Sequence, residues 1–192
     1  MKTFVVVSLF CLLLTSCKHN SSESEDALSP VEAKYVLPFP VGSEYMCSLG
    51  FNNSISHNGS FRYAVDFAMP IGTVITASRS GRVVYIVESN SDTDPTAGHE
   101  NVVIVMHEDS TYARYVHLTT NGAMVTGSLT VKPGDTIGLS GNSGSSSAPH
   151  LHFDVTNVST GRNDQTIPFD FKNTIAHPIG LEVGVTYKAF PY

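Results

Sequence analysis

The stretch from Val102 to His117 restricts most strongly what this chain can fold into. Val102-Val103-Ile104-Val105-Met106-His107 and Thr111-Tyr112-Ala113-Arg114-Tyr115-Val116-His117 are runs of branched and aromatic residues, joined by the polar turn Glu108-Asp109-Ser110. Each run is short, β-prone and bounded by turn formers, so the pair predicts a β-hairpin. Comparable runs recur at Thr73 to Ala77, Arg82 to Val87 and Thr136 to Leu139, divided by Gly, Pro, Asn, Asp and Ser. No segment carries the apolar period of a long amphipathic helix, and nothing repeats at a fixed period. The expectation is a mainly β domain, a meander of antiparallel strands. A hydrophobic fraction of 41% beside 15% charged residues gives such a domain enough apolar surface for a core, and 192 residues leave room for only one.

The two ends of the charge scale exclude some partners. A formal net charge of −6 with no cluster of Lys or Arg lacks the electrostatic footprint of a protein that binds nucleic acid or an anionic membrane surface. The N-terminus reads as an export signal over residues 1–16: Lys2 supplies the positive end, and Phe4 to Ser16 is apolar but too short to span a bilayer. Leu14-Thr15-Ser16-Cys17 resembles a bacterial lipobox, in which cleavage before the cysteine leaves a thiol for lipid attachment. Cys11 would leave with the signal and Cys17 would carry the anchor, so Cys47 would be the one free thiol and no internal disulfide could form. Residues 17–33, containing KHNSSESEDALSP, are polar and aperiodic and are expected to act as a tether, with the folded domain at 34–192. Lys18 after the anchor cysteine differs from the aspartate retention signal, which places the expected location in the cell envelope, at the outer membrane facing the periplasm.

Chemistry is concentrated in a few positions. In Pro149-His150-Leu151-His152-Phe153-Asp154-Val155, strand alternation would turn His150 and His152 to one face while Leu151 and Phe153 enter the core. Such an H-x-H pair serves a metal or a reaction in some proteins and is an exposed strand feature in others. His117 would share a face with Tyr115, or lie idle at the surface. Asp66 sits inside the apolar run Tyr63 to Pro70, and burying an unpaired carboxylate is costly enough that a nearby cation would explain it. His57 lies in the turn-like stretch Ser54 to Gly59, where an exposed histidine is commonplace.

Taken together, SHNGSFRYAVDFAMPIGTVITASRSGRVV, NVVIVMHEDSTYARYVHL and VKPGDTIGLSGNSGSSSAPHLHFDV resemble, in order and spacing, the blocks of the lysostaphin-type or LytM-like zinc metallopeptidases. The resemblance covers roughly Pro38 to Tyr192. It implies an antiparallel β fold of the LytM-like, duplicated hybrid motif type, with a zinc site in a groove across the sheet. It implies one Zn2+ ion held by His57, Asp66 and His152, with a fourth position for water, and His117 and His150 as catalytic histidines beside the metal. The implied activity is a metalloendopeptidase acting on peptidoglycan stem peptides by a zinc-activated water. The alternative is an inactive wall-binding or amidase-regulating lipoprotein of the same fold, working through a regulatory partner.

One departure bears on the ligand set. Many members of the family carry the first ligand four residues before the aspartate, where this chain has Arg62, and His57 stands nine residues before it. Either a longer loop of Asn, Gly and Ser returns His57 to the metal, or Arg62 pairs with Asp66 and the site is dead. The family also often has a tyrosine near the oxyanion, and here Phe51 and Tyr45 occupy that stretch without an assignable role. His107 is expected to be a solvated hairpin residue, His99 a loop residue, and His177 and His19 exposed. Gly138 to Ser147 lacks the ending of a phosphate loop and is expected to form the rim that positions strand 150–155.

Overall fold

A computed structural model describes residues 31–158 and 165–192. The signal segment, Cys17, His19 and the tether as far as residue 30 lie outside the described residues. The chain forms β1 (Glu44–Leu49), β2 (Ala64–Ala68), β3 (Val74–Thr76), β4 (Gly81–Val87), β5 (Val102–Met106), β6 (Tyr112–Val116), β7 (Leu118–Ala123), β8 (Thr130–Val131), β9 (Thr136–Ser140), β10 (His150–Thr156) and β11 (Thr186–Lys188). One short 3-10 turn, Gly59–Phe61, is the only helix among the described residues. The fold is therefore mainly β and antiparallel, as the short β-prone runs require.

The predicted hairpin is present, with Met106 opposite Tyr112 and Val102 opposite Val116. The simple meander is not. The large sheet runs β11-β1-β2-β10-β6-β5-β4-β8, and a second sheet runs β3-β9-β7. β10, late in the sequence, slots between β2 and β6, antiparallel to both. Its own composition explains the position: in a central strand one face must be fully buried, and Leu151, Phe153 and Val155 are each 0% exposed. They pack with Val65 and Phe67 of β2 and Ala113 and Tyr115 of β6 into the core that Tyr35, Leu37, Phe39 and Phe169 close from outside the sheet. Edge-to-face contacts between Phe153 and Tyr35, Tyr115 and Phe169 make that core aromatic. The other faces of β2, β10 and β6 then necessarily point the opposite way, and all of the polar chemistry lies there.

Of three histidines outside that face, one lies where expected and two do not. His99 is an exposed loop residue whose Nδ1 lies 2.7 Å from Asp94. The His177 side chain is largely covered by Tyr187 and lies 3.5 Å from Asp170, so it is not an exposed residue. His107 is buried, not solvated: it is 2% exposed, donates from Nδ1 to the Ser80 carbonyl at 2.8 Å and meets the edge of Tyr35. The hairpin end is drawn inward because Gly81 of β4 crosses it so closely that a Cβ there would lie 2.4 Å from the Met106 carbonyl oxygen.

Burial pushes the His107 pKa down to about 4, against the opposing pull of the Ser80 carbonyl. An unfolded histidine titrates near about 6.5, so between those values the unfolded chain binds more protons and stability falls as pH drops. His107 alone should contribute about 1 kcal/mol per pH unit over that window. Denaturant midpoints at pH 7 and pH 5 should differ more for the wild type than for His107→Gln, and equal slopes would contradict the assignment.

Candidate metal centre

Register builds the site. In an antiparallel pair, residues directly opposite share a face. Asp66 of β2 faces His152 of β10, and Asp154 of β10 faces Arg114 of β6. Alternation along β10 adds His150 to the same side, as predicted for the H-x-H pair. His57 arrives from the loop after β1, which folds back over Asp66 and buries the imidazole to 1% exposure.

The three side chains converge. His57 Nε2 lies 3.2 Å and His152 Nδ1 2.9 Å from Asp66 Oδ1, and one ligand atom from each residue lies within 4.8 Å of the others. Neither His57 Nε2 nor Asp66 Oδ1 has a partner in hydrogen-bonding geometry, although both are buried. These atoms therefore point at a common spot instead of at one another. Ligand distances of about 2.0–2.2 Å to a tetrahedral zinc would place donor atoms about 3.3 Å apart. Two imidazoles and a carboxylate at this spacing, with orphaned buried atoms aimed inward, fit such an ion.

Each imidazole is oriented from behind. His57 Nδ1 donates to the Gly50 carbonyl at 3.0 Å, leaving the Nε2 lone pair facing inward. Gly50 cannot be larger, since a Cβ would sit 2.8 Å from the Leu181 carbonyl oxygen. His152 does the reverse, donating from Nε2 to Asp154 Oδ2 at 3.0 Å and presenting Nδ1. This outer-shell pattern is the one that fixes the tautomer of metal-ligating histidines. His117 Nδ1 donates to the Ser143 carbonyl at 2.7 Å, and His150 Nδ1 to the Ala148 carbonyl at 2.8 Å. The rings of His117 and His150 stand 4.6 Å apart, and His150 Nε2 lies 3.7 Å from Asp66 Oδ2.

The electrostatics follow from this packing. Burial alone would raise the Asp66 pKa, but His152, with His57 and His150, holds the carboxyl well below the usual range. Burial opposes a charge on His152, yet Asp154 and Asp66 flanking it push its pKa up to about 9. A cation entering the site would displace that proton. Burial, then the neighbouring His150 and His152, bring His117 down to about 4, which favours the neutral ring. Cys47 is buried in the core and pushed up to about 12, an inert thiol.

His117 does not follow the predicted alternation. Tyr115 faces the core, where its hydroxyl accepts from the Ser78 amide, whereas His117 faces the site. The difference is a left-handed backbone, φ 64°, immediately after β6, which rotates the side chain to the opposite face. The rim predicted at 138–147 supplies its acceptor carbonyl at Ser143. Asp92 anchors that rim by accepting from the Asn142 amide at 2.7 Å and from the Thr119 hydroxyl. Sequence reasoning assigned no role to Asp154, Arg114, Ser143 or Asp92.

Arg62 does not take the place of a ligand. It is exposed, its Nε 3.3 Å from Asn52 Oδ1 and its guanidinium over the Tyr63 ring. Phe51 packs against Tyr63 and Phe169, and Tyr45 against Phe39, so neither ring joins the cluster. Arg62→Ala should keep zinc stoichiometry and most activity, since the change removes only an exposed contact worth under about 1 kcal/mol. Loss of bound zinc in that variant, measured on purified protein by elemental analysis, would mean that Arg62 organises the loop.

Comparison with known proteins identifies the family and the fold. Residues 60–166 match the sequence profile of peptidase family M23. Peptidoglycan DD-endopeptidase ShyA of Vibrio cholerae is 36% identical over 146 residues, which cover 74% of this chain but 32% of ShyA. The solved catalytic domain of the antimicrobial peptidase lysostaphin from Staphylococcus simulans is 32% identical, with a TM-score of 0.51, over 64% of this chain and 87% of that one. A zinc-containing peptidase from Vibrio cholerae is 28% identical, with a TM-score of 0.50, over 70% of this chain and 39% of its own.

Proposed function

This chain belongs to peptidase family M23, and on that basis we propose that it is a zinc-dependent endopeptidase that hydrolyses peptide cross-links of peptidoglycan. The single observation that carries the reading is the convergence of His57 Nε2, Asp66 Oδ1 and His152 Nδ1 on one spot, with His117 and His150 at its edge. The substrate class is supported by ShyA, a peptidoglycan DD-endopeptidase, and by the glycyl-glycine endopeptidase of Staphylococcus capitis, 34% identical over 115 residues. The reading includes the lipid anchor at Cys17 and the 17–33 tether, which would let domain 34–192 reach the wall from the outer membrane.

Zinc bound by His57, Asp66 and His152 would polarise the scissile carbonyl and lower the pKa of water from about 15.7 towards about 7. His150, fixed through Nδ1, turns its Nε2 lone pair inward and takes the proton of the attacking water. The water oxygen bonds to the carbonyl carbon, and the C–N bond then breaks. The proton taken by His150 goes to the departing amine nitrogen as that bond breaks, directly or through Nε2 of the facing His117, which is fixed on the Ser143 carbonyl and steadies the tetrahedral oxyanion only while it carries that proton. The backbone carbonyls behind both rings hold the acceptor nitrogens in place without side-chain rearrangement.

The test is digestion of purified peptidoglycan by the full chain, with the soluble fragments resolved by mass spectrometry. Cross-linked fragments should be converted to uncross-linked ones, conversion should stop with a chelator, and zinc should restore it. Intact cross-links with zinc-loaded protein would overturn the enzyme reading in favour of a wall-binding or amidase-regulating role.

A further inference from the structure

Behind His152, on the side away from Asp66, lies a buried ion pair that the proposed chemistry leaves unused. Arg114 Nε donates to Asp154 Oδ1 and Arg114 Nη2 to Asp154 Oδ2, each at 2.7 Å. Asp154 is 0% and Arg114 3% exposed. Burying two charges costs several kcal/mol before their attraction is counted, and apolar residues of similar size often serve stability equally well. The pair therefore calls for a role other than cohesion.

Its position supplies one. Asp154 stands two residues beyond His152 on the same face of β10, and Arg114 faces it across the β6 register. The two-pronged contact fixes the carboxylate plane, leaving Oδ2 aimed at His152 Nε2, 3.0 Å away. The Arg114 guanidinium also lies under the Phe61 ring, 5.7 Å from its centroid, and Phe61 in turn stands 6.2 Å from the His152 ring. The imidazole is thus held at its rear nitrogen, with Phe61 standing perpendicular beside it.

We infer that Arg114 and Asp154 are positioning residues for the metal centre, fixing the tautomer and ring plane of His152 so that Nδ1 is the nitrogen offered to the cation. The inference rests on the metal reading above. Without the acceptor at Nε2, the ring can rotate and keep its last proton on either nitrogen, so Nδ1 is no longer held as the nitrogen that yields its proton to the ion. Losing an outer-shell partner of this kind typically weakens metal binding about 10- to 100-fold.

The test is competition between the full chain and a chelator for Zn2+, repeated with Co2+, whose visible absorption reports ligand geometry. Two variants separate positioning from cohesion. Arg114→Met with Asp154→Leu removes both charges together and should leave the metal-free melting temperature near that of the wild type, while metal binding weakens about 10- to 100-fold and the cobalt bands shift. Asp154→Asn keeps an acceptor oxygen and should fall between the two. Wild-type metal affinity in both variants, with unchanged cobalt bands, would overturn the inference. Failure of the wild-type chain itself to bind either metal would overturn the metal reading, and this inference with it.

Discussion

His57→Ala should strip the protein of zinc and of hydrolytic activity together, while the metal-free fold survives. The expectation follows from where the ring ends. Its Nε2 is one of the three atoms facing the common spot, and no other described side chain stands ready to replace it, Arg62 being turned out to Asn52. Structural zinc sites with four ligands bind with about 10–16 kcal/mol, so one ligand accounts for about 3 kcal/mol and its loss for at least about 100-fold in affinity. Substitution also leaves the buried Gly50 carbonyl without its donor, a cost of about 1–2 kcal/mol to folding that a melting curve would register. Zinc stoichiometry and cross-link cleavage should therefore fall in parallel. A variant that retains one zinc per chain would show that the ninth residue before Asp66 is not a ligand.

The second large effect separates metal binding from chemistry. His117→Ala and His150→Ala should each leave zinc stoichiometry unchanged and lower kcat by about 10²–10⁴-fold, the range for a positioned proton-transfer group. Their rings touch the cluster from its edge, His150 Nε2 at 3.7 Å from Asp66 Oδ2, and their inner nitrogens do not belong to the converging set. Because the two would act on one proton path, the double variant should be little worse than the poorer single one. Activity within a few-fold of wild type in either single variant would remove that histidine from the reaction.

The sequence was informative wherever a side chain's direction depends on local period alone. The 102–117 hairpin, the shared face of His150 and His152, and the core-facing Leu151 and Phe153 all follow from two-residue alternation. Period does not reveal which strands become neighbours, so neither the insertion of β10 between β2 and β6 nor the pairing of Asp154 with Arg114 is legible in the sequence. A signal for Asp154 was nevertheless present, since any residue two positions after His152 on a strand shares its face. Alternation alone puts His117 on the face of Tyr115, and the left-handed residue that breaks it leaves no mark in composition. Carbonyl acceptors such as Gly50 and Ser143 are likewise invisible in side-chain identity. A solvated His107 is the expectation from its hairpin position, and the tight crossing at Gly81 that buries it is a contact between distant segments, which local sequence does not show.

The resemblance to the lysostaphin-type family, not the local pattern, brought His57 into the ligand set. Local pattern alone described a commonplace exposed histidine in a polar turn. Burial of that ring to 1% by the returning loop is a tertiary event, and the loop of Ser, Asn and Gly is long enough to make it without a cis peptide among the described residues.

The most direct measurement is crystallographic: anomalous scattering on either side of the zinc absorption edge from crystals of the zinc-loaded protein. A single peak should stand within about 2.0–2.2 Å of His57 Nε2, Asp66 Oδ1 and His152 Nδ1 together, with His117 and His150 outside bonding distance. A peak elsewhere, or one coordinated without His57, would contradict the account.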